Sequence, residues 1–314
     1  MQEIISSVRE LQQGKIQQFG NLALVPLFGE QSSLDYLILR EAIAQGFQVS
    51  ENPKGAHVPQ LYVINGTGKK VLAIQGEYVV GGKQNRTFTR NVYFNDNFKG
   101  EIPVRCVEAG RWHSEDNSSG TFSSSGVVPR SLSQAESQGD TWLAASTYLD
   151  ESTVHSATSD VGETYRSRQG DFDFSKQHFS FLEGQTGMIA VFMQRRKKLF
   201  VADIFDQQHR FSQYFSGLLE SHILDSGLDS KENVNLTESE VRKFLDSADG
   251  CCFQDIPPIS LGKDYTLHGE DLSGHVLSYE GNRLYTHLYI PFNHRQDDTL
   301  DTELVTDIYQ AIIN

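Results

Sequence analysis

Apolar residues in this chain recur with two periods, and the switching between them sets the expected elements. Ile4, Ile5, Val8 and Leu11 fall at helical spacing and predict a short amphipathic helix over 3–13 that ends near Gly14. Residues 22–28, Leu-Ala-Leu-Val-Pro-Leu-Phe, read as a strand. Leu37, Ile38, Ala42 and Ile43 mark the buried stripe of a helix over 34–45 that Gly46 stops. The runs Leu61 to Ile64 and Val71 to Ile74 flank Asn65-Gly66-Thr67-Gly68, which predicts a hairpin. Gly68-Lys69-Lys70 is no phosphate loop, because the first glycine of that motif would fall on Val63 and no Ser or Thr follows the lysine.

Short strands follow at 77–80, 87–94 and 102–107. Residues 113–127, with six serines between 114 and 126, predict a flexible loop or the arm of a lid. Helices are expected over 131–137 and 140–149, and 151–178 reads as a second polar, turn-rich excursion. Met188 to Met193 and Leu199 to Asp203 predict a buried hairpin around the basic turn Arg195 to Lys198. Phe211, Tyr214, Phe215, Leu218, Leu219 and His222 describe one face of a helix over 208–223. Thr237 and Glu240 form a capping box for a helix over 237–247. Four short strands and a helix over 299–313 close the chain.

Strands grouped in hairpins, with helices between the groups, predict an α+β fold with a mixed, largely antiparallel sheet and flanking helices. That sheet is expected to hold the segments at 61–64, 71–74, 87–94, 102–107, 188–193 and 199–203. No linker composition divides the chain, so residues 1–314 read as a single compact domain, with the strands and helix of 250–314 packed on the rest.

The length of 314 residues allows a substantial core, and 38% hydrophobic residues with 19 Phe and 12 Tyr mark a folded chain. A net charge of −14 argues against nucleic acid and anionic membranes as partners. Only three cysteines occur, two of them adjacent at 251 and 252, so a disulfide framework is not expected and a cytoplasmic location is. No apolar run reaches the roughly 18 residues of a membrane span.

Against this acidic background, Gly81-Gly82-Lys83-Gln84-Asn85-Arg86 stands out. Two glycines allow a sharp turn and a close approach. Lys83 and Arg86 supply charge, and Gln84 and Asn85 supply amides, a kit suited to a phosphate or carboxylate. A solvated turn between two strands would use the same residues. Ile102, Val104, Cys106 and Glu108 share one face of the next strand, and Gly110 lets Arg111 and Trp112 turn back. Glu108 suits a general base or a ligand to a metal or a ribose hydroxyl, and Trp112 a stacking surface; a Glu108–Arg111 ion pair under a Trp lid is the alternative. Lys83, Gln84, Asn85, Arg86, Glu108 and Arg111 are expected to meet in one cleft with Trp112 at its wall. Cys106 has no nucleophile signature around it and reads as a core thiol. Asp203 ends an apolar strand and is a candidate catalytic or metal-binding carboxylate, and Asp206 reads as a helix N-cap. HExxH, CxxC, GxSxG and GxGxxG are all absent.

In chain order, Leu39-Arg-Glu-Ala42, Val58-Pro-Gln-Leu61, Gly76-Glu77, the 81–86 loop, Ile102-Pro-Val104, Cys106-Val-Glu-Ala-Gly-Arg-Trp112, Gly184-Gln-Thr-Gly187 and Asp203-Ile-Phe205 resemble the domain family named for association with ADP-ribosylglycohydrolase and rhodanese-phosphatase proteins. The likeness spans about residues 20–225 and extends more weakly into the C-terminal strands. It implies a small phosphorylated ligand related to ADP-ribose or NAD, and partner enzymes of ADP-ribose metabolism. On that reading Lys83, Gln84, Asn85, Arg86, Arg111 and Trp112 bind the ligand. Glu108 and Asp203 act as acid/base or as ligands to magnesium, the candidate cofactor, in a hydrolysis or group transfer. A non-catalytic module that recruits such enzymes is the alternative.

Overall fold

The two longest apolar runs pair with each other, as their pattern predicts. Gly187–Gln194 and Lys197–Phe205 form an antiparallel hairpin whose two-residue turn is Arg195-Arg196. Both turn residues are left-handed, at φ 48° and 65°, the conformation that matches the twist of the flanking strands. This hairpin is the centre of a nine-stranded sheet in the computed structural model, which describes residues 2–55, 57–111 and 121–291. Leu22–Phe28 flanks it on one side and Asn282–Tyr289 on the other, and the sheet continues through Ser273–Tyr279 and Lys263–His268 to an exposed edge strand, Cys252–Ile256.

Each face of this sheet is covered. Val8 and Leu11, with Val241, Phe244 and Leu245 of the helix Glu238–Asp246, pack on Val25, Ile189, Val191, Ala202 and Ile204. The expected capping box opens that helix: the Thr237 hydroxyl accepts from Glu240 N, and the Glu240 carboxylate accepts from Thr237 N. On the opposite face lies Gln208–Asp225, whose Phe211, Tyr214, Leu218 and Leu219 join Met188, Ala190, Phe205 and Tyr285 in the largest core.

Two smaller sheets enclose the third core. One is ordered Phe122–Val127, Glu77–Gly81, Arg86–Phe88, Lys99–Cys106, Gln60–Asn65, Phe47–Ser50; the other is Val92–Phe94, Val71–Ala73, Leu37–Ile38. All named pairings are antiparallel except that of Leu37–Ile38 with Val71–Ala73. The fold is α+β with largely antiparallel pairing, though its strands form three sheets rather than one.

Several expected elements differ. The segments 61–64 and 71–74 do not pair with each other. Gln60–Asn65 pairs with Lys99–Cys106 and Phe47–Ser50, while Val71–Ala73 joins the facing sheet. Asn65 causes the split: its side chain donates to Lys69 O at 2.8 Å and Asn95 O at 2.6 Å and accepts from Thr67 N. These bonds hold the turn open, and each strand turns one apolar face to a shared core. The helix expected over 34–45 is only Leu39–Ile43, because Leu37 and Ile38 are drawn into a sheet. The serine-rich stretch is not loop throughout: Phe122–Val127 is a strand on Glu77–Gly81, anchored by buried Phe122 and Val127, with a bulge between Ser124 and Gly126. The polar excursion contains two helices, Gly162–Ser167 and Gln169–Lys176. The sequence at 113–120 and the helix expected over 299–313 lie outside the described residues. Among the described residues no helix is long and apolar enough to cross a membrane.

The glycines of the 81–86 loop are needed for its shape. Gly81 has φ 135°, and a Cβ there would sit 2.4 Å from Thr121 O. Gly81→Ala is therefore expected to lower stability by more than about 1 kcal/mol, measured as a drop in denaturation midpoint without change in slope.

Candidate functional site

The 81–86 loop is the turn between Glu77–Gly81 and Arg86–Phe88, and the following strand Lys99–Cys106 delivers Glu108 and Arg111 beside it. Arg111 grips Glu108 in bidentate fashion, Nε to Oε1 and Nη2 to Oε2, both at 2.8 Å. It also donates to Gly82 O at 3.0 Å and Asn85 Oδ1 at 3.2 Å. Glu108 accepts in addition from Asn85 N at 3.0 Å and from the Thr158 hydroxyl at 2.8 Å. Asn85 Oδ1 accepts from Gly81 N, and its Nδ2 donates to Tyr78 OH at 3.0 Å. Tyr78 OH in turn donates to Asp160, which Arg166 holds from the outside. Gln84 donates to Ala109 O and accepts from Arg86. Lys83 is half-buried, and its backbone N–H donates to Glu51.

The structure therefore brings Gln84, Asn85, Arg86, Glu108 and Arg111 together, with Lys83 adjoining. Their side chains bond chiefly to one another and to the backbone, and Gln84, Asn85, Arg86 and Glu108 are all buried. Trp112 lies outside the described residues. Cys106 is buried next to Gln84 and Arg86; burial pushes its thiol up to about 12, so it is an inert core thiol.

Asp203 does not join this cluster. It sits in the large sheet, fully buried, where Oδ1 accepts from Arg130 Nη2 at 2.8 Å and from Tyr285 OH. His222 Nε2 and His287 Nδ1 each lie 3.3 Å from its carboxylate. Burial by itself would raise the Asp203 carboxyl, but the Arg130 guanidinium and the two imidazoles outweigh it and hold it well below the usual range. Burial takes His287 the other way, down to about 4. Asp206 accepts from Ser32 and Tyr36, and the N-cap of the next helix is Gln207. Among the described residues no group of three or more His, Cys, Asp or Glu side chains is placed to hold a metal ion.

Two groups that composition did not single out carry strong electrostatics. Arg130, with no exposed surface, donates to Gln75 O, Asp203 and Tyr285, while its backbone N–H donates to Asp225. Its signal was a lone arginine after Val-Val-Pro, which a short polar helix disguised. Glu77 starts a strand and is buried under Tyr214; its visible signal was a carboxylate leading an apolar run. Burial raises it to about 8, and only in part do the Ile74 N–H, Tyr214, Arg40 and Arg130 pull it back.

Two outcomes follow from these charges. Arg130→Ala leaves the Asp203 carboxylate uncompensated in the core and is expected to cost roughly 3–5 kcal/mol in a denaturant titration. Glu77 binds its proton more tightly folded than unfolded, so its contribution is full below pH 4.5 and is lost as pH rises through about 8. At about 1.4 kcal/mol per unit, stability should fall by several kcal/mol across that window, and Glu77→Gln should flatten the profile.

No curated protein and no solved structure matches this chain. A family model does, the ARG and Rhodanese-Phosphatase-superfamily-associated Protein domain, over residues 10–289. The match takes in the 81–86 loop, Glu108, Asp203 and the last described strands of the large sheet. It thus reaches beyond the 20–225 region of clear sequence likeness, and the name records association with ADP-ribosylglycohydrolase and rhodanese-phosphatase proteins. The chain belongs to the ARG and Rhodanese-Phosphatase-superfamily-associated Protein domain family.

Proposed function

We propose that this protein is a non-catalytic binding module that recruits enzymes of ADP-ribose and rhodanese-phosphatase pathways, in a cytoplasmic setting in keeping with its three free cysteines. The observation that carries the reading is the commitment of Glu108. Its two carboxylate oxygens accept four hydrogen bonds, two from Arg111 and one each from Asn85 N and Thr158. A general base needs a free oxygen aimed at a substrate proton, and this carboxylate has a structural partner at each lone-pair direction. Asp203 is held as a buried counter-ion to Arg130, which suits it poorly to exchange protons with a substrate. Gln84, Asn85 and Arg111, donors suited to a phosphate or carboxylate, bond within the hairpin turn and to the segment that follows the next strand.

This reading weighs against hydrolysis or group transfer on an ADP-ribose-like molecule at Glu108. It leaves recruitment as the role that the family's association best fits. The experiment pairs two measurements. Arg111→Ala is expected to lower stability by roughly 3 kcal/mol, because the buried Glu108 loses its ion partner. Sedimentation of the wild type with an ADP-ribosylglycohydrolase and with a rhodanese-family phosphatase from the same cell is expected to show a complex with at least one of them. Turnover of ADP-ribose, NAD or a nucleoside diphosphate with magnesium present, abolished by Glu108→Gln at unchanged melting temperature, would reverse the conclusion.

A further inference from the structure

At the side of the large sheet away from Cys252–Ile256, the terminal strand lies open beside a helix. That strand, Gln12–Gln13, pairs antiparallel with Leu22–Phe28, and Gln13 stands opposite Leu27. Leu27 O already accepts from Thr186 N at 2.9 Å, so Leu27 turns its polar backbone groups toward the central hairpin. In an antiparallel ladder the residue opposite then points its own N–H and C=O away, and Gln13 presents both at the sheet edge. Beside this edge lies a groove of about 540 Å³. Gln12, Gln13 and Gly14 wall it on the strand side, and Glu238, Ser239 and Arg242 of the helix Glu238–Asp246 on the other. The Arg242 guanidinium is committed: it donates to Arg9 O at 2.8 Å and Leu11 O at 3.4 Å, at the carbonyl end of the helix Gln2–Arg9. In the amide orientation that its donors require, Gln13 Oε1 accepts from Arg242 as well, at 3.0 Å. Glu238, one turn before Arg242, is exposed and pairs with no cation among the described residues.

We propose that this groove takes an extended segment of a partner protein that carries a lysine or arginine, its backbone paired with Gln13 and its positive side chain set against Glu238. Strand addition to a sheet edge draws affinity from main-chain hydrogen bonds and specificity from the side chains along the groove. The walls hold no aliphatic or aromatic side chain, so an apolar ligand gains little there. Gln12 and Ser239 add an exposed amide and hydroxyl that suit a polar chain. With Arg242 held by carbonyls, Glu238 is the uncompensated charge of the groove, and it selects a cation. A second copy of this chain is a poor occupant at a net charge of −14. Residues 292–314 are no better, since Asp297, Asp298, Asp301, Glu303 and Asp307 stand there against a single Arg295. The inference gives a surface to the recruitment proposed above, and its test uses no pathway enzyme, so the two can fail separately.

The probe is the acetylated and amidated peptide Thr-Thr-Lys-Thr-Thr, titrated into the isotope-labelled full chain and followed by amide NMR signals. Binding is expected in the millimolar range, with the Gln13 N–H signal among those that move. The same peptide with Glu in place of Lys should bind about fivefold more weakly. The fully N-methylated Lys peptide keeps the charge but has no backbone donor, and should bind about tenfold more weakly. Glu238→Lys, at an exposed position that leaves the Thr237–Glu240 cap in place, should reverse the preference in favour of the Glu peptide. The inference is overturned if the Lys peptide leaves the Gln13 signal unmoved at about 10 mM, if N-methylation has no effect, or if Glu238→Lys keeps the wild-type preference. Movement at Phe253 and Asp255 instead would assign strand addition to the opposite edge and overturn the site. So would a dimer of the chain alone, seen in sedimentation and broken up by the Lys peptide, because the groove would then belong to a second copy.

Discussion

A guanidinium without exposed surface is the constraint around which the rest is arranged. Arg130 reaches Asp203 and Tyr285 on the large sheet with one nitrogen and Gln75 O, beside the smaller sheets, with another. Burying such a charge is unfavourable unless partners converge on it from fixed positions. The positions are fixed by the backbone around it: Gly76, at φ 89°, lies so close that a Cβ would stand 2.9 Å from Arg130 Nη1. Asp225, at the end of the long helix, holds Arg130 N, Ser131 and Tyr148 and so ties the same segment to two helices. The large sheet, the smaller sheets and the helical layer are thereby referred to one side chain.

How much of this could be read from residues alone depends on how local the cause is. The 187–205 hairpin was legible because two long apolar runs flank a two-residue turn, and the Thr237–Glu240 cap because both partners lie within one helical turn. The turn at Asn65 was misread because its outcome depends on Asn95, thirty positions away, which binds the same side chain. Phe122–Val127 was hidden by its serines, which mark loops in composition, although exposed Ser123 alternates with buried Phe122 on a paired strand. Which of the separate hairpins and strands share a sheet was not accessible, since that is decided by partners far along the chain.

The candidate site was legible as a cluster of side chains. Sequence placed Gln84, Asn85, Arg86, Glu108 and Arg111 together, and they do meet. Donor-rich residues at a glycine turn, however, serve a ligand and a hairpin clamp equally well, and only the partners of each atom separate the two. Of the two readings that Glu108 allows, the ion pair with Arg111 is present in the fold. Glu77 went unnoticed because its character comes from what buries it, not from its neighbours in the chain.

The pairing of Leu22–Phe28 with Gly187–Gln194 has a consequence for how the chain is made. Val25 lies opposite Ile189, so one of the most apolar stretches is translated about 160 residues before its partner. At typical elongation rates of roughly 5–20 residues per second, it waits on the order of ten seconds or more with an unpaired edge. Contacts of such separation also slow folding after release, because loop closure must precede any gain from pairing. The nascent Leu22–Phe28 strand thus keeps one edge unpaired until Gly187–Gln194 has been made.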